Sequence, residues 1–243
     1  MNLIIDVGNS FVKLAIYSKN ELVYKVIVKI DSVINEIEIL KKKYTSINRA
    51  IISSVGRLKQ KDINIIDEYF DLLVLDSNIN LPFKNCYKTP KTLGVDRIAL
   101  VCGSISQYSN KNVLIIDAGT CITYDFINSK NEYLGGAISP GIRVRYKSLN
   151  NLTANLPLLE TEMPKQIVGN TTKESIHSGV IYGVLNEIDG IIESYKLKNA
   201  DLTVILTGGD SNFLSKQLKS SIFANPNFLL EGLNFILQFN SNE

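Results

Sequence analysis

One stretch of this chain is written twice. Residues 3–23 read LIIDVGNSFVKLAIYSKNELV and residues 114–134 read LIIDAGTCITYDFINSKNEYL. An offset of 111 positions, from Asp6 to Asp117, lays Leu3, Ile4, Ile5, Asp6 and Gly8 on Leu114, Ile115, Ile116, Asp117 and Gly119. Further on, Ile16 falls on Ile127 and Ser18-Lys19-Asn20-Glu21 on Ser129-Lys130-Asn131-Glu132. A match that keeps its spacing through a strand, a turn and a second strand points to a duplicated unit, so the chain reads as two related halves meeting near residue 110.

Each copy has a physical meaning. An apolar β-branched run delivers one carboxylate to its end, and the glycine beside it lets the backbone turn tightly and approach a ligand. Small hydroxyl or amide side chains follow at Asn9, Ser10, Thr120 and Thr123. Two such hairpins facing each other would line a cleft with an acidic residue on each wall, which reads as a phosphate-and-metal site. Two nearby carboxylates repel, and a bound cation with oxygen ligands, such as Mg2+ in phosphoryl transfer, resolves the repulsion. Backbone N–H groups around Gly8 and Gly119 could cradle phosphate oxygens. The bland alternative is that each Asp only shapes a turn at a strand end. The duplicated context weighs against it.

The flanking pattern fills out the halves. Extended runs at 2–7, 11–17 and 22–29 are followed by a helical spacing over 34–44, a short strand at 50–53, a helix at 63–70 and a strand at 71–75. A meander of strands giving way to alternating helix and strand implies a mixed sheet with helices packed on it. A loop at 77–92 carries Pro82 and Pro90, and a helix runs from Asp96 to about Tyr108. The second half repeats the meander from Val113, with its third strand at 133–139, and Pro140 is placed in the first turn of a helix reaching Leu149. An irregular connection at 153–168 leads to a long helix at 172–195, with Ile176, Val180, Val184, Ile188 and Ile191 along one side. A strand at 202–206, a TGGD turn and two short helices close the chain, all assigned to the second half, 111–243, against 1–110 for the first.

Composition excludes several classes. With 26 basic and 24 acidic residues the net charge is +2, and no segment is basic enough to suggest nucleic acid. The Lys41-Lys42-Lys43 run reads as a solvated helix end. No apolar run reaches membrane-spanning length. Three cysteines at scattered spacing point to reduced thiols in a cytosol, so a cytoplasmic location is expected, and Cys121 reads as a small core-compatible residue. The single histidine, His177, reads as a helix-surface or interface residue, with no second histidine to make a metal site. There is no GxxxxGK[ST], kinase-type GxGxxG or HExxH, so ATP, if bound, is bound without a P-loop. Lys13 is either an exposed strand lysine or a phosphate contact. Asp96 opens a helix, where a carboxylate can act as a cap or as a base, and Arg97 beside it could pair with a substrate carboxylate or a surface acid.

The DVGNS and DAGT hairpins followed by TGGD resemble the acetate and sugar kinase, Hsp70 and actin superfamily. Within it the set is similar to the type III pantothenate kinases. The resemblance rests on DVGNSFVK, then Tyr87 and Pro90 leading into Gly94-Val95-Asp96-Arg97. It continues through DAGTCITYD, GGAISPG, Asn155-Leu156-Pro157, Thr172 before the long helix, and TGGD. These motifs stand in family order over nearly the whole chain.

The resemblance implies duplicated actin-like (ribonuclease H-like) α/β domains, each a mixed five-stranded sheet flanked by helices. It implies ATP-dependent phosphorylation of pantothenate to 4'-phosphopantothenate, the first step of coenzyme A biosynthesis. Asp6, Val7, Gly8, Asn9, Ser10, Phe11, Val12 and Lys13 match the first ATP-binding segment and Thr120 the second. Asp117 matches a monovalent-cation ligand, for K+ or NH4+, with Asp6 toward Mg–ATP. Asp96 matches the general base on the pantothenate hydroxyl. Tyr87, Gly94, Val95, Arg97 and Thr172 match the pantothenate pocket. Family members are homodimers whose substrate site draws on both subunits. Thr171 and Ser175 depart from the family pattern, which has Asn and Ala there. The alternatives are another sugar- or acetate-type kinase and a non-catalytic nucleotide-binding regulator. The joint presence of Asp6, Asp96 and Asp117 argues against the last.

Overall fold

The computed structural model describes residues 1–8, 11–53 and 58–241. The chain divides into two compact units, one of residues 1–109 with 228–243, the other of residues 110–227. The closing segment, expected in the second half, thus packs within the first.

In the first unit the apolar runs become strands β1 (Asn2–Val7), β2 (Phe11–Ser18) and β3 (Glu21–Lys29), joined as an antiparallel meander. Helix α1 (Val33–Lys43), β4 (Arg49–Ile52), α2 (Gln60–Tyr69) and β5 (Asp71–Val74) follow, with β4 pairing in parallel with β1 and β5 in parallel with β4. The sheet order is β3-β2-β1-β4-β5. Because side chains alternate across a strand, Leu3 and Ile5 share one face, where they pack with Val33, Ile37 and Leu40 of α1 and Ile66 of α2. Lys84–Asn85 forms a two-residue strand (β6), and α3 (Val95–Tyr108) follows.

The second unit repeats the plan. Its strands are β7 (Val113–Ala118), β8 (Cys121–Ile127) and β9 (Glu132–Pro140), then β10 (Thr203–Thr207) and β11 (Phe223–Ala224). Its own five strands stand in the order β9-β8-β7-β10-β11, the same topology as the first sheet. Both meanders slip by one residue at matching places, between Ile16 and Tyr17 and between Phe126 and Ile127. The pairing register also refines the repeat. Asp6 faces Lys13 across its hairpin while Asp117 faces Thr123, because the second turn is one residue shorter. Along β2 and β8 the copies are related by 110 positions, so Ile127 answers to Tyr17 rather than to Ile16.

Helices α4 (Ile142–Asn151) and α5 (Thr172–Lys196) cover one face of this sheet. Pro140 ends strand β9 and does not begin α4, which is capped by Gly141. Along α5 the buried set is two adjacent rows, Ile176, Val180, Val184, Ile188 and Ile192 beside His177, Ile181 and Leu185. A stripe that broad is what a helix laid flat on a sheet requires. The chain closes with a short α6 (Ser211–Leu214), β11 and a twelve-residue α7 (Phe228–Phe239). Helix α7 lies against β1, β4 and α3, and its Asn234 side chain bonds to Asn2 and to the Lys19 carbonyl. No helix among the described residues is long and apolar enough to cross a membrane.

Candidate functional site

The first unit presents two groups of the expected residues. At the end of β1, Asp6 is only 7% exposed, a costly place for a carboxylate unless its oxygens are bonded. They are. Lys13 Nζ lies 3.1 Å from Oδ2, and the buried Ser53 hydroxyl donates to Oδ1 at 2.9 Å. The same Ser53 oxygen accepts from the Val7 N–H, so the end of β4 holds the end of β1. Val7 and Val12 are buried, Phe11 is exposed, and the Gly8 N–H closes the turn on the Phe11 carbonyl. Asn9 and Ser10 lie outside the described residues. Burial, and then the Lys13 ammonium, hold the Lys25 pKa below the usual lysine range.

The second group stands at the start of α3. Gly94 is the N-cap position, and the exposed Asp96 carboxylate accepts the Arg97 N–H at 2.8 Å. Asp96 therefore satisfies one of the helix's open first-turn donors, and a negative charge is favoured there by the helix dipole. Arg97 is buried, with its guanidinium 5.6 Å from the centroid of the Tyr87 ring. Tyr87, Gly94, Val95, Asp96 and Arg97 thus belong to one neighbourhood.

In the second unit, Asp117 ends β7 and is half-buried, while Thr120 sits exposed in the following turn. The TGGD segment is brought to the same place. Thr207 pairs with Asp117, the Asp210 N–H donates to the Ala118 carbonyl, and Gly208 has φ +93°. A Cβ on Gly208 would run into the Ala118 carbonyl and the Asp117 carboxylate, so only glycine lets this turn close on the strand end. Burial raises the Asp210 pKa, with the Arg143 charge partly offsetting it. Thr123 Oγ1, opposite Asp117, is buried without a hydrogen-bond partner among the described residues.

Thr172 is the exposed first residue of α5 and lines a cavity of about 780 Å³ with Arg145, Leu149, Leu156, Ser175 and Val180. The two departures from the family pattern have local work here. Thr171 is the N-cap and accepts the Glu174 N–H, and Ser175 donates to the Gly169 carbonyl.

Three polar groups escaped the sequence reading. Ser53 is one; its only signal is a hydroxyl directly after the apolar run of β4. His177 is a second, and the surface expectation for it is corrected, since the ring is 4% exposed and its Nδ1 lies 2.7 Å from the Tyr146 hydroxyl. Burial pushes the Tyr146 pKa up to about 12. The third is an ion pair of Arg145 and Glu187, to which the Tyr124 hydroxyl also donates. No group of three or more His, Cys, Asp or Glu side chains among the described residues is arranged for a metal ion.

The repeated sheet, the carboxylate at the end of each first strand and the glycine turn beside the second define a protein of the actin-like ATPase and sugar-kinase fold. Solved structures of that fold superpose over nearly the full chain. A candidate Baf family transcriptional activator from Campylobacter jejuni gives a TM-score of 0.68 at 22% identity over 99% of this chain and 100% of that one. A glucokinase from an Antarctic psychrotroph gives 0.54 at 14% identity, covering 98% of each chain. Sequence narrows the class. Residues 2–194 match the type III pantothenate kinase family. The type III pantothenate kinase of Christiangramia forsetii is 51% identical over 243 residues, covering 100% of both chains. That of Flavobacterium psychrophilum is 44% identical, covering 98% of this chain and 99% of the relative. The chain belongs to the type III pantothenate kinase family.

Proposed function

We propose that the protein transfers the γ-phosphoryl group of ATP to the primary hydroxyl of pantothenate, giving 4'-phosphopantothenate and ADP, the opening step of coenzyme A synthesis. The observation that carries this reading is the start of α3, where a proton acceptor and a buried guanidinium occupy adjacent positions, Asp96 and Arg97. A substrate bearing both a hydroxyl and a carboxylate calls for that pair. The hydroxyl oxygen bonds to the γ-phosphorus, the bond from phosphorus to the ADP oxygen breaks, and Asp96 takes the hydroxyl proton. With Oδ1 held by the Arg97 N–H, Oδ2 is the oxygen that meets the hydroxyl. Phosphoryl transfer asks little more of a protein than positioning and charge neutralisation. In this reading, Tyr87, Gly94 and Val95 of the first unit and Thr172 of the second are each assigned to pantothenate, and residues 6–13 of the first and Thr120 of the second are each assigned to ATP.

The cation assignments follow the difference between the hairpins. Asp6 already faces the Lys13 ammonium, whereas the position facing Asp117 holds the buried hydroxyl of Thr123. A carboxylate and a hydroxyl on one face are oxygen donors that suit a hard cation, so Asp117 with Thr123 fits K+ or NH4+. Asp6 would face Mg–ATP, where the Mg2+ would neutralise charge on the phosphate oxygens.

A homodimer is supported by the exposed apolar side chains of Leu152, Leu158, Ile167 and Val168, which all lie in the connection beside the Thr172 cavity. A cytoplasmic location is supported by the thiols of Cys86, Cys102 and Cys121, none of which forms a disulfide. The test of the chemistry is Asp96→Asn. It should lower kcat by roughly a hundredfold or more while ATP binding, read by calorimetry, is retained. Full activity in that variant would remove Asp96 as the base.

A further inference from the structure

The polar cluster around Arg145, a residue that also lines the Thr172 cavity, is built against the nucleotide segment. Arg145 Nε donates to the Pro140 carbonyl at 2.8 Å and Nη2 to the Ser139 hydroxyl at 2.9 Å, and Nη2 also pairs with Glu187. Glu187 accepts the hydroxyl of the fully buried Tyr124 at 2.9 Å. One guanidinium therefore ties the end of β9 to α4 and, through Glu187, to α5 and β8. The residue after Pro140 is Gly141, whose N–H donates to the Thr120 carbonyl at 3.0 Å. A Cβ on Gly141 would strike the carbonyls of Gly119 and Thr120, so the Gly119–Thr120 backbone rests directly on the Gly141 backbone. Any movement at Pro140 is passed to Thr120 without slack.

We propose that Arg145, held by Glu187, is a positioning residue for nucleotide binding, fixing the Gly119–Thr120 segment through Pro140 and Gly141. This rests on the reading of Thr120 as part of the ATP site. A guanidinium is needed because its fork serves a carbonyl, a hydroxyl and a carboxylate together, which a lysine ammonium on a flexible stem does not hold in one geometry. The expected signature is specific. Displacing a binding segment by a fraction of an ångström weakens the ligand it holds, and the pantothenate contacts at the start of α3 are untouched.

The test is Arg145→Lys, assayed with ATP and pantothenate varied in turn and accompanied by thermal melting. KM for ATP should rise on the order of tenfold, as misplacement of a positioned group does. The rise in KM for ATP should exceed any rise in KM for pantothenate, whose Thr172 contact shares a cavity with Arg145. Glu187→Gln should shift KM for ATP in the same direction, and the double variant should add little to either alone. A lowered melting temperature with KM for ATP unchanged would overturn the proposal, leaving the pair a purely structural one. So would an equal rise in both KM values. If Arg145→Lys does not accumulate folded protein, Ser139→Ala removes one arm of the fork and carries the same readouts. Thr120→Val separates this proposal from the reading beneath it. If that variant raises KM for ATP while Arg145→Lys is silent, only the positioning role falls. If both are silent, the nucleotide assignment of the segment falls with it.

Discussion

Lys13 and Thr123 occupy the same place in two copies of one hairpin, so the two carboxylates face different groups. Asp6 is neutralised from within the chain by an ammonium at 3.1 Å, and its other oxygen is bonded to Ser53. Asp117 has a hydroxyl in the facing position. The proposed cation role of Asp117 predicts that exchange of K+ for Na+ reduces turnover at fixed ATP and Mg2+. Equal rates in the two salts would remove the cation role given to Asp117. The carboxylates themselves were legible in the sequence, because the duplication marks them. Their partners were not. Ser53 comes from a strand distant in sequence, and the one-residue difference between the turns shows only in the pairing register. His177 was misjudged because a lone polar residue beside an apolar row looks solvated. A helix lying flat on a sheet buries the neighbouring row as well, and Tyr146 supplies a hydrogen bond to one ring nitrogen, Nδ1.

Among the elements, α4 and α5 show how a helix pair is fastened over a sheet whose edge carries function. Their apolar contacts, Ile142 and Tyr146 against Ile176, Val180 and Val184, are ordinary core. The Arg145–Glu187 pair adds direction to that packing. Burial alone would raise the Glu187 pKa, but the hydrogen bonds from Arg145, Ser139 and Tyr124 outweigh it and hold the carboxyl below its usual value of 4.5. A depressed carboxylate stabilises the fold above its unfolded pKa and loses that contribution as pH falls through the folded one. Wild type should therefore melt above Glu187→Gln at neutral pH, and the gap should close as the pH drops below about 4.5. A gap of constant size across the acid range would contradict this. Most elements were readable from hydrophobic period. The failures were Pro140, which suits a helix start but here ends a strand, and β6 and β11, whose two residues each are too few to carry any period.

Across the whole molecule, the duplicated hairpin dictated two sheets of one topology, and both are present in the same strand order. What the duplication concealed is the destination of α7. Read along the chain, it closes the second half; in space, it packs on β1, β4 and α3 of the first. Periodicity reports that a helix has an apolar face and is silent about which sheet that face meets. The fold is shared by sugar kinases, so it cannot by itself name the acceptor of the phosphoryl group. In the proposed reading that distinction is assigned to Asp96 and Arg97 at the start of α3 and to Tyr87 beside Arg97. The most direct measurement is a competition assay, in which the purified protein is given ATP, Mg2+ and K+ with pantothenate and a hexose together. The account predicts that 4'-phosphopantothenate forms and the hexose is left unmodified. Phosphorylation of the hexose with pantothenate untouched would contradict it.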